Sequence, residues 1–170
     1  MELTAFATLT IPFIVIVYLA FLMFIHPTRP ILLASLLAGL LMGLINMAFD
    51  LLAYYAHWWH YTLNGLILHL PIPFYITPVL VYGSIAFLLI WRFWHGRYHW
   101  LSLLLLIGIP LFRATTDILG AAVTHSGYIQ YDSLPAAPIN VLMWLIMFYA
   151  SFFIFNSFAH LNLAPRKQPS

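Results

Sequence analysis

Four polar side chains lie inside long apolar stretches of the sequence, where they could perform acid–base chemistry away from water. Asn46 precedes Asp50 by four residues, and Arg113 precedes Asp117 by the same spacing. Residues four apart share one face of a helix, so each carboxyl group has a polar neighbour one turn earlier. Placing a charge at the centre of a bilayer costs about 2.5–3.5 kcal/mol on insertion scales, which makes such groups functional candidates. We predict Asp50 and Asp117 as catalytic residues.

Asp50 is the better candidate for a proton donor. It has no cation one turn away, whereas Arg113 would keep Asp117 ionised. Removal from water favours the neutral form of a carboxyl group, and a neutral Asp50 could protonate an alkene. The alternative for Arg113 and Asp117 is a purely structural ion pair, which by itself is weak evidence of stability.

Aromatic residues are abundant, with 14 Phe, 10 Tyr and 6 Trp. Aromatic faces stabilise cations, including the carbocation that alkene protonation creates. We predict that the substrate pocket is lined by residues near the two carboxyl groups, namely Trp59, Tyr61, Tyr75, Asn46 and Arg113. Packing and lipid anchoring account for most of the other aromatic residues.

The histidines and the absence of cysteine limit other chemistries. His57, His60, His69 and His125 share one predicted side of the membrane, and His57 and His60 have helical ligand spacing. A metal, pigment or proton-transfer site remains open for them, although interfacial histidines are the simpler interpretation. The adjacent histidine pairs of di-iron oxygenases are missing, and without cysteine there is no thiolate ligand. We therefore predict no metal and no cofactor.

Composition predicts the elements that must position these side chains. Hydrophobic residues make up 64% and charged residues 6%, against about a quarter charged in soluble domains. A spanning helix needs about 20 mostly apolar residues. We predict an all-α integral membrane protein with about five transmembrane helices and a bend at Pro78. The helices cover residues 5–25, 31–55, 72–94, 99–123 and 137–158 of one domain (1–163), followed by a basic tail (164–170).

The basic residues predict an orientation. With five spans, five of the six Lys and Arg residues fall on one side: Arg29, Arg92, Arg97, Arg166 and Lys167. The positive-inside rule then places the N-terminus outside and the C-terminus inside, and we predict a prokaryotic plasma membrane. No basic patch interleaves with exposed polar residues, so nucleic acid is not an expected partner.

An internal repeat is a further hypothesis. Residues 49–53 resemble residues 116–120, and a tyrosine follows each Asp by eleven residues, Tyr61 in one copy and Tyr128 in the other. Pro-rich segments then open the next helix in both copies. Spans two and three would match spans four and five about an axis near the membrane normal, which places both carboxyl groups at one depth. Alternatively, any apolar hairpin with a Pro-rich start would look similar.

The run Asp50-x-x-Ala53, Trp58-Trp59-His60-Tyr61 and Leu70-Pro71-Ile72-Pro73-Phe74-Tyr75 resembles the small membrane lycopene cyclase domains and the related carotenoid hydratases. The second repeat resembles them more weakly. Those domains carry acidic residues directly after the Pro-Ile, where this chain has Pro73 and Phe74. The resemblance implies their membrane fold and, if the chemistry is kept, a proton donor moved to Asp50 and Asp117.

Three functions follow as hypotheses. The first is a membrane enzyme that cyclises or hydrates a polyene or polyprenoid lipid after protonating it. The second is a non-catalytic subunit or a pigment- or lipid-binding module of a larger membrane complex, for which Gly39 and Gly43 offer a small-residue packing pattern. The third is a small transporter or proton-coupled channel, although nothing polar continues the path to the inner face. Membrane lipid is an expected partner, and a homo-oligomer stays open.

Overall fold

Five long helices dominate the computed structural model, which describes residues 3–94, 96–121 and 128–159. Each is long and apolar enough to cross a bilayer, so the chain is a nearly all-α, multi-pass membrane protein, as predicted. The predicted bounds agree within two residues except at the end of the fourth helix, where residues 122 and 123, like the tail at 164–170, lie outside the described residues. The helices are α1 Leu3–Ile25, α2 Arg29–Tyr55, α3 Ile72–Trp94, α4 His99–Leu119 and α5 Ala136–Ala159.

A short turn separates α1 from α2. His26 ends α1 in the left-handed conformation, with φ of 50°, and its amide donates to the carbonyl of Leu22. Pro27 follows, and a proline shortly after a left-handed residue is a common way to end a helix. Pro30 then lies in the first turn of α2, where its missing amide hydrogen costs nothing.

Helix α3 changes its winding along its length. It starts with a 3-10 turn at Ile72–Tyr75, continues in wider π-helical turns at Thr77–Ile85, and becomes α-helical at Ala86–Trp94. Pro78 lacks an amide hydrogen and disturbs the regular bonding of the preceding turn, which explains why the irregular segment lies here. We predicted a bend at Pro78, and the structure has a change of helix type there.

Small residues bring α2 and α3 into close contact. A Cβ added at Gly39 would overlap the backbone carbonyl oxygen of Val79, and one at Gly43 would overlap the Val79 side chain. Gly83 of α3 in turn lies against the backbone of Gly39. The small-residue pattern therefore serves a contact within this chain, where backbones approach as in other membrane helix pairs.

Aromatic packing joins α3 to α5. The ring of Phe87 is fully buried and lies 5.3 Å from the ring of Phe148 and 5.6 Å from that of Phe155, measured between centroids. Helix α1 is the most exposed of the first three helices and is tied to α3 by a 3.1 Å hydrogen bond between Tyr18 and Ser84. The tightly packed part of the bundle thus consists of α2, α3 and α5.

Two short strands cover one end of the bundle, which we call the strand side. Strand β1 (Trp59–Tyr61) pairs antiparallel with β2 (Ile129–Tyr131), and His60 lies opposite Gln130. These strands were not predicted from the sequence. The predicted helical spacing between His57 and His60 is also wrong, because His57 has a positive φ and His60 lies in β1.

Candidate functional site: two carboxyl groups on one cavity

Asp50 lies near the end of α2 and is held by three neutral donors. The indole Nε1 of Trp59 donates to Oδ1 over 3.1 Å, and the hydroxyl groups of Tyr61 and Tyr75 each donate to Oδ2 over 2.9 Å. Alternate residues of a strand point to the same face, so Trp59 and Tyr61 of β1 both face Asp50. Asp50 is only 3% exposed, and no cationic side chain of the described residues pairs with it.

The tyrosines of the two strands remain hydrogen-bond donors. Burial raises the pKa of Tyr61 well above its ordinary value, and the nearby charge of Asp50 raises it further. Burial, with a smaller contribution from Asp117, raises the pKa of Tyr131 to about 12. Both phenol groups therefore stay protonated at neutral pH.

Asp117 has a different environment, because it forms the predicted ion pair with Arg113 in α4. The indole Nε1 of Trp144 also donates to Asp117 Oδ2 over 2.7 Å. The guanidinium carbon of Arg113 lies 5.4 Å from the ring centre of Tyr82 and 5.1 Å from that of Trp144, within cation–π range. One carboxyl group thus has a cation, as the spacing of four residues in α4 predicted. The other has only neutral donors, which come from β1 and α3 and not from Asn46 one turn earlier.

The two carboxyl groups line the same small polar cavity of about 40 Å³. This volume is large enough for an ordered water molecule, which needs two to four polar partners. The walls come from α2, α4, α5 and both strands. The residues involved are Asn46, Asp50, Trp59, Tyr61, Arg113, Asp117, Ile129, Tyr131, Asn140, Met143 and Trp144.

A larger cavity of about 350 Å³ lies beside the small one. It is mostly apolar and aromatic, with walls mainly from α1, α3 and the strand side, and its size is within the range of small-molecule pockets. Residues from both halves of the chain line both cavities and therefore form the junction between them. These are Asn46, Tyr61, Arg113, Ile129 and Trp144.

The predicted site residues divide between the two cavities. Tyr75 lines only the larger cavity, whereas Asp50, Asp117 and Trp59 line only the smaller one. Because Tyr61 and Tyr75 hydrogen-bond to Asp50, they are the groups through which Asp50 reaches the larger cavity.

Sequence reasoning missed part of the small cavity. Asn140 Nδ2 donates to the Tyr131 hydroxyl over 2.9 Å, and Met143 lies beside Asn46, whose amide contacts its sulfur at 3.6 Å. Asn140 stands near the start of a mostly apolar helix, so its position in the sequence could have indicated a buried polar site. Tyr131 gave no such signal, because only the pairing of β2 with β1 brings it to the site.

The histidines of the strand side have other partners. His60 Nδ1 lies 2.8 Å from Asp132 Oδ2, and His69 stacks on Tyr54 with ring centres 3.8 Å apart. Among residues 3–94, 96–121 and 128–159, no group of three His, Cys, Asp or Glu residues could hold a metal ion. His125 lies outside the described residues.

The contact between His60 and Asp132 fastens the two strands on their exposed face. We expect Asp132→Asn to weaken this contact by up to about 1 kcal/mol, the usual worth of a partly exposed ion pair. Backbone amides of 59–61 and 129–131 should then exchange up to about fivefold faster in hydrogen–deuterium exchange, with the helices unchanged. Ser133→Ala is the control, because the Ser133 hydroxyl has no partner among the described residues. Equal exchange in both variants would contradict a fastening role.

No family model, curated protein or solved structure matches this chain. Its class therefore follows from its own architecture, a multi-pass membrane protein with two buried carboxyl groups on one cavity. The resemblance to lycopene cyclase domains stays a hypothesis based on the sequence motifs at residues 50–53, 58–61 and 70–75.

Proposed function

We propose that this protein is a membrane-embedded enzyme that protonates an alkene of a polyene or polyprenoid lipid and directs the carbocation to cyclisation or hydration. The observation that carries the proposal is the environment of Asp50. This carboxyl group is buried without a cation, and two of its three donors line an aromatic cavity of about 350 Å³. A buried acid without a paired cation can take up and release a proton, which a buried ion pair resists.

The proton would travel from Asp50 through a tyrosine. In the structure, Tyr61 and Tyr75 donate to Asp50, as suits the ionised carboxylate. When Asp50 is protonated, its carboxyl group can instead donate across the same contact, and the tyrosine O–H can turn toward the lipid. The alkene gains this proton and becomes a carbocation. Loss of a proton from carbon completes a cyclisation, while water addition followed by proton loss completes a hydration, and the proton returns to Asp50.

The cavity walls would stabilise the cationic intermediate. Phe74, Tyr82 and Trp144 line the cavity, and aromatic faces attract positive charge. Asp117, paired with Arg113, adds a second carboxyl group nearby. The small cavity between the two carboxyl groups has room for the water that a hydration requires.

The alternative is a subunit or lipid-binding module of a larger complex. It was favoured by Gly39 and Gly43, which suggested a surface for packing against a partner helix. In the structure, however, both glycines lie against α3 of the same chain. We therefore prefer the enzyme, for which membrane lipid is the required partner.

We further propose the orientation and the repeat. Arg29 and Arg92 lie at the end of the bundle opposite to the strands, which supports a cytoplasmic location for that end and an outward strand side. The repeat is supported by a donor from the next helix in each copy, since Tyr75 of α3 bonds to Asp50 and Trp144 of α5 bonds to Asp117. A plasma-membrane location accords with this topology.

Deuterium incorporation tests the proposed chemistry directly. The protein in proteoliposomes is incubated in D2O with acyclic polyenes and polyprenols, and the products are examined by mass spectrometry. Protonation from an exchangeable acid should place deuterium on carbon, in a cyclised isomer or a hydrated product. A protein that purifies with bound pigment or partner chains and converts none of these lipids would favour the binding module.

A further inference from the structure

We infer that the larger cavity binds an uncharged lipid whose oxygen-bearing end lies at Asn46 and Arg113, and that it rejects lipids with a phosphate or diphosphate end. This inference names the substrate class of the proposed enzyme and rests on that proposal. It is carried by the charges and the unused donors at the junction of the two cavities.

The charges at the junction leave no surplus positive charge for an anion. Among the described residues, the charged side chains lining the two cavities are Asp50, Asp117 and Arg113. With both carboxyl groups ionised their sum is −1, and with Asp50 protonated it is zero. A diphosphate would enter a low-dielectric cavity next to a carboxylate, where like charges repel strongly. The same balance suits a neutral lipid and a cationic intermediate.

The guanidinium of Arg113 is already occupied at both terminal nitrogens. One donates to Thr116 Oγ1 over 2.7 Å, and the other forms the ion pair with Asp117. Phosphate recognition by arginine usually uses two parallel N–H groups of this fork. These two bonds leave one N–H group on each terminal nitrogen and the N–H group of Nε, which is buried and has no hydrogen-bond partner among the described residues. The unpartnered Nε–H group can donate to a hydroxyl, ether or carbonyl oxygen.

Asn46 offers a second donor at the same junction. It is 8% exposed, and its Nδ2 contacts only the sulfur of Met143, a weak acceptor, among the described residues. A buried amide usually makes stronger hydrogen bonds than this. A ligand oxygen would therefore be a better acceptor for Asn46 Nδ2 than the sulfur of Met143. Asn46 and Arg113 thus form the polar end of a cavity whose other walls are mainly apolar.

Photoaffinity competition tests this assignment. The full chain in nanodiscs is labelled with a diazirine analogue of geranylgeraniol, and the labelled peptides are identified by mass spectrometry. We expect labels on segments that line the cavity, such as 74–82, and competition by geranylgeraniol at least about tenfold stronger than by geranylgeranyl diphosphate. Equal or stronger competition by the diphosphate would overturn the inference, as would labelling confined to outward-facing residues of α1 and α4.

A variant at the polar end tests the position of the oxygen. Asn46→Leu keeps a similar side-chain volume and should weaken competition by geranylgeraniol about threefold to tenfold, the worth of one hydrogen bond. Competition by the matching hydrocarbon without the hydroxyl group should not weaken. Ser102→Ala is the control, because it removes a buried hydrogen bond to Ile90 at the other end of α4. Parallel losses for alcohol and hydrocarbon would show that Asn46 does not bind the oxygen.

Binding and turnover separate this inference from the proposed function. Preferential binding of the neutral alcohol without any conversion would support the lipid class and contradict the enzyme. Conversion of a lipid in D2O together with a preference for diphosphates would support the enzyme and contradict the lipid class.

Discussion

Asp50→Asn should reduce turnover by at least about a hundredfold while the protein stays folded, within the usual contribution of a general acid. The amide oxygen of asparagine can still accept hydrogen bonds from Tyr61 and Tyr75, but the side chain has no acidic proton to give. Loss of activity should therefore come without loss of the helix bundle. The measurements are deuterium on carbon in the product and thermal unfolding of the purified protein.

Asp132→Asn provides the matched control for this substitution. Asp132 is also a carboxyl group of the strand side, yet it pairs with His60 and lines neither cavity. Its loss should lower turnover by less than about tenfold, through the looser strands alone. Unchanged product formation in Asp50→Asn would remove Asp50 from the mechanism. It would also leave the non-catalytic binding module as the better explanation of the cavity.

The sequence could predict the helices because bilayer thickness imposes their length. A stretch of about 20 apolar residues has few alternatives to a spanning helix, since its backbone groups must bond within the segment. The same reasoning identified Asp50 and Asp117, because a carboxyl group is conspicuous among apolar residues. The pairing of Arg113 with Asp117 was also readable, since a spacing of four residues fixes it locally.

The contacts that distinguish the two carboxyl groups depend on distant residues. Trp59 and Tyr61 reach Asp50 because β1 pairs with β2, which lies about seventy residues later in the chain, in one particular register. A shift of one residue would turn Trp59 and Tyr61 away and point His60 inward. Three-residue strands in polar loops carry too little pattern to indicate such a register. The two cavities, whose walls come from all five helices and both strands, could therefore not be predicted from the sequence.

Gly39→Ala should destabilise the protein, whereas the same substitution at Gly108 should leave it equally stable or more stable. Within a helix, replacing glycine by alanine normally stabilises by up to about 1 kcal/mol through backbone entropy. At Gly108 nothing lies within 4 Å of the added Cβ, so this benefit should appear. At Gly39 the Cβ would meet the carbonyl oxygen of Val79, a backbone atom that cannot rotate away. Overpacking of this kind costs about 1–3 kcal/mol.

The two alanine variants can be compared by SDS-induced unfolding in mixed micelles, where opposite shifts from the parent protein are expected. Equal stability of both would mean that α2 and α3 separate easily at Gly39.

The contact between α2 and α3 at Gly39 also affects the geometry of the site. Asp50 lies three turns beyond Gly39 on α2, and Tyr75 lies one turn before Val79 on α3, so the α2–α3 distance sets the 2.9 Å bond between them. Gly39→Ala should thus lower turnover as well as stability. Gly108→Ala should not lower turnover, because Gly108 lies at an apolar groove and lines neither of the two cavities.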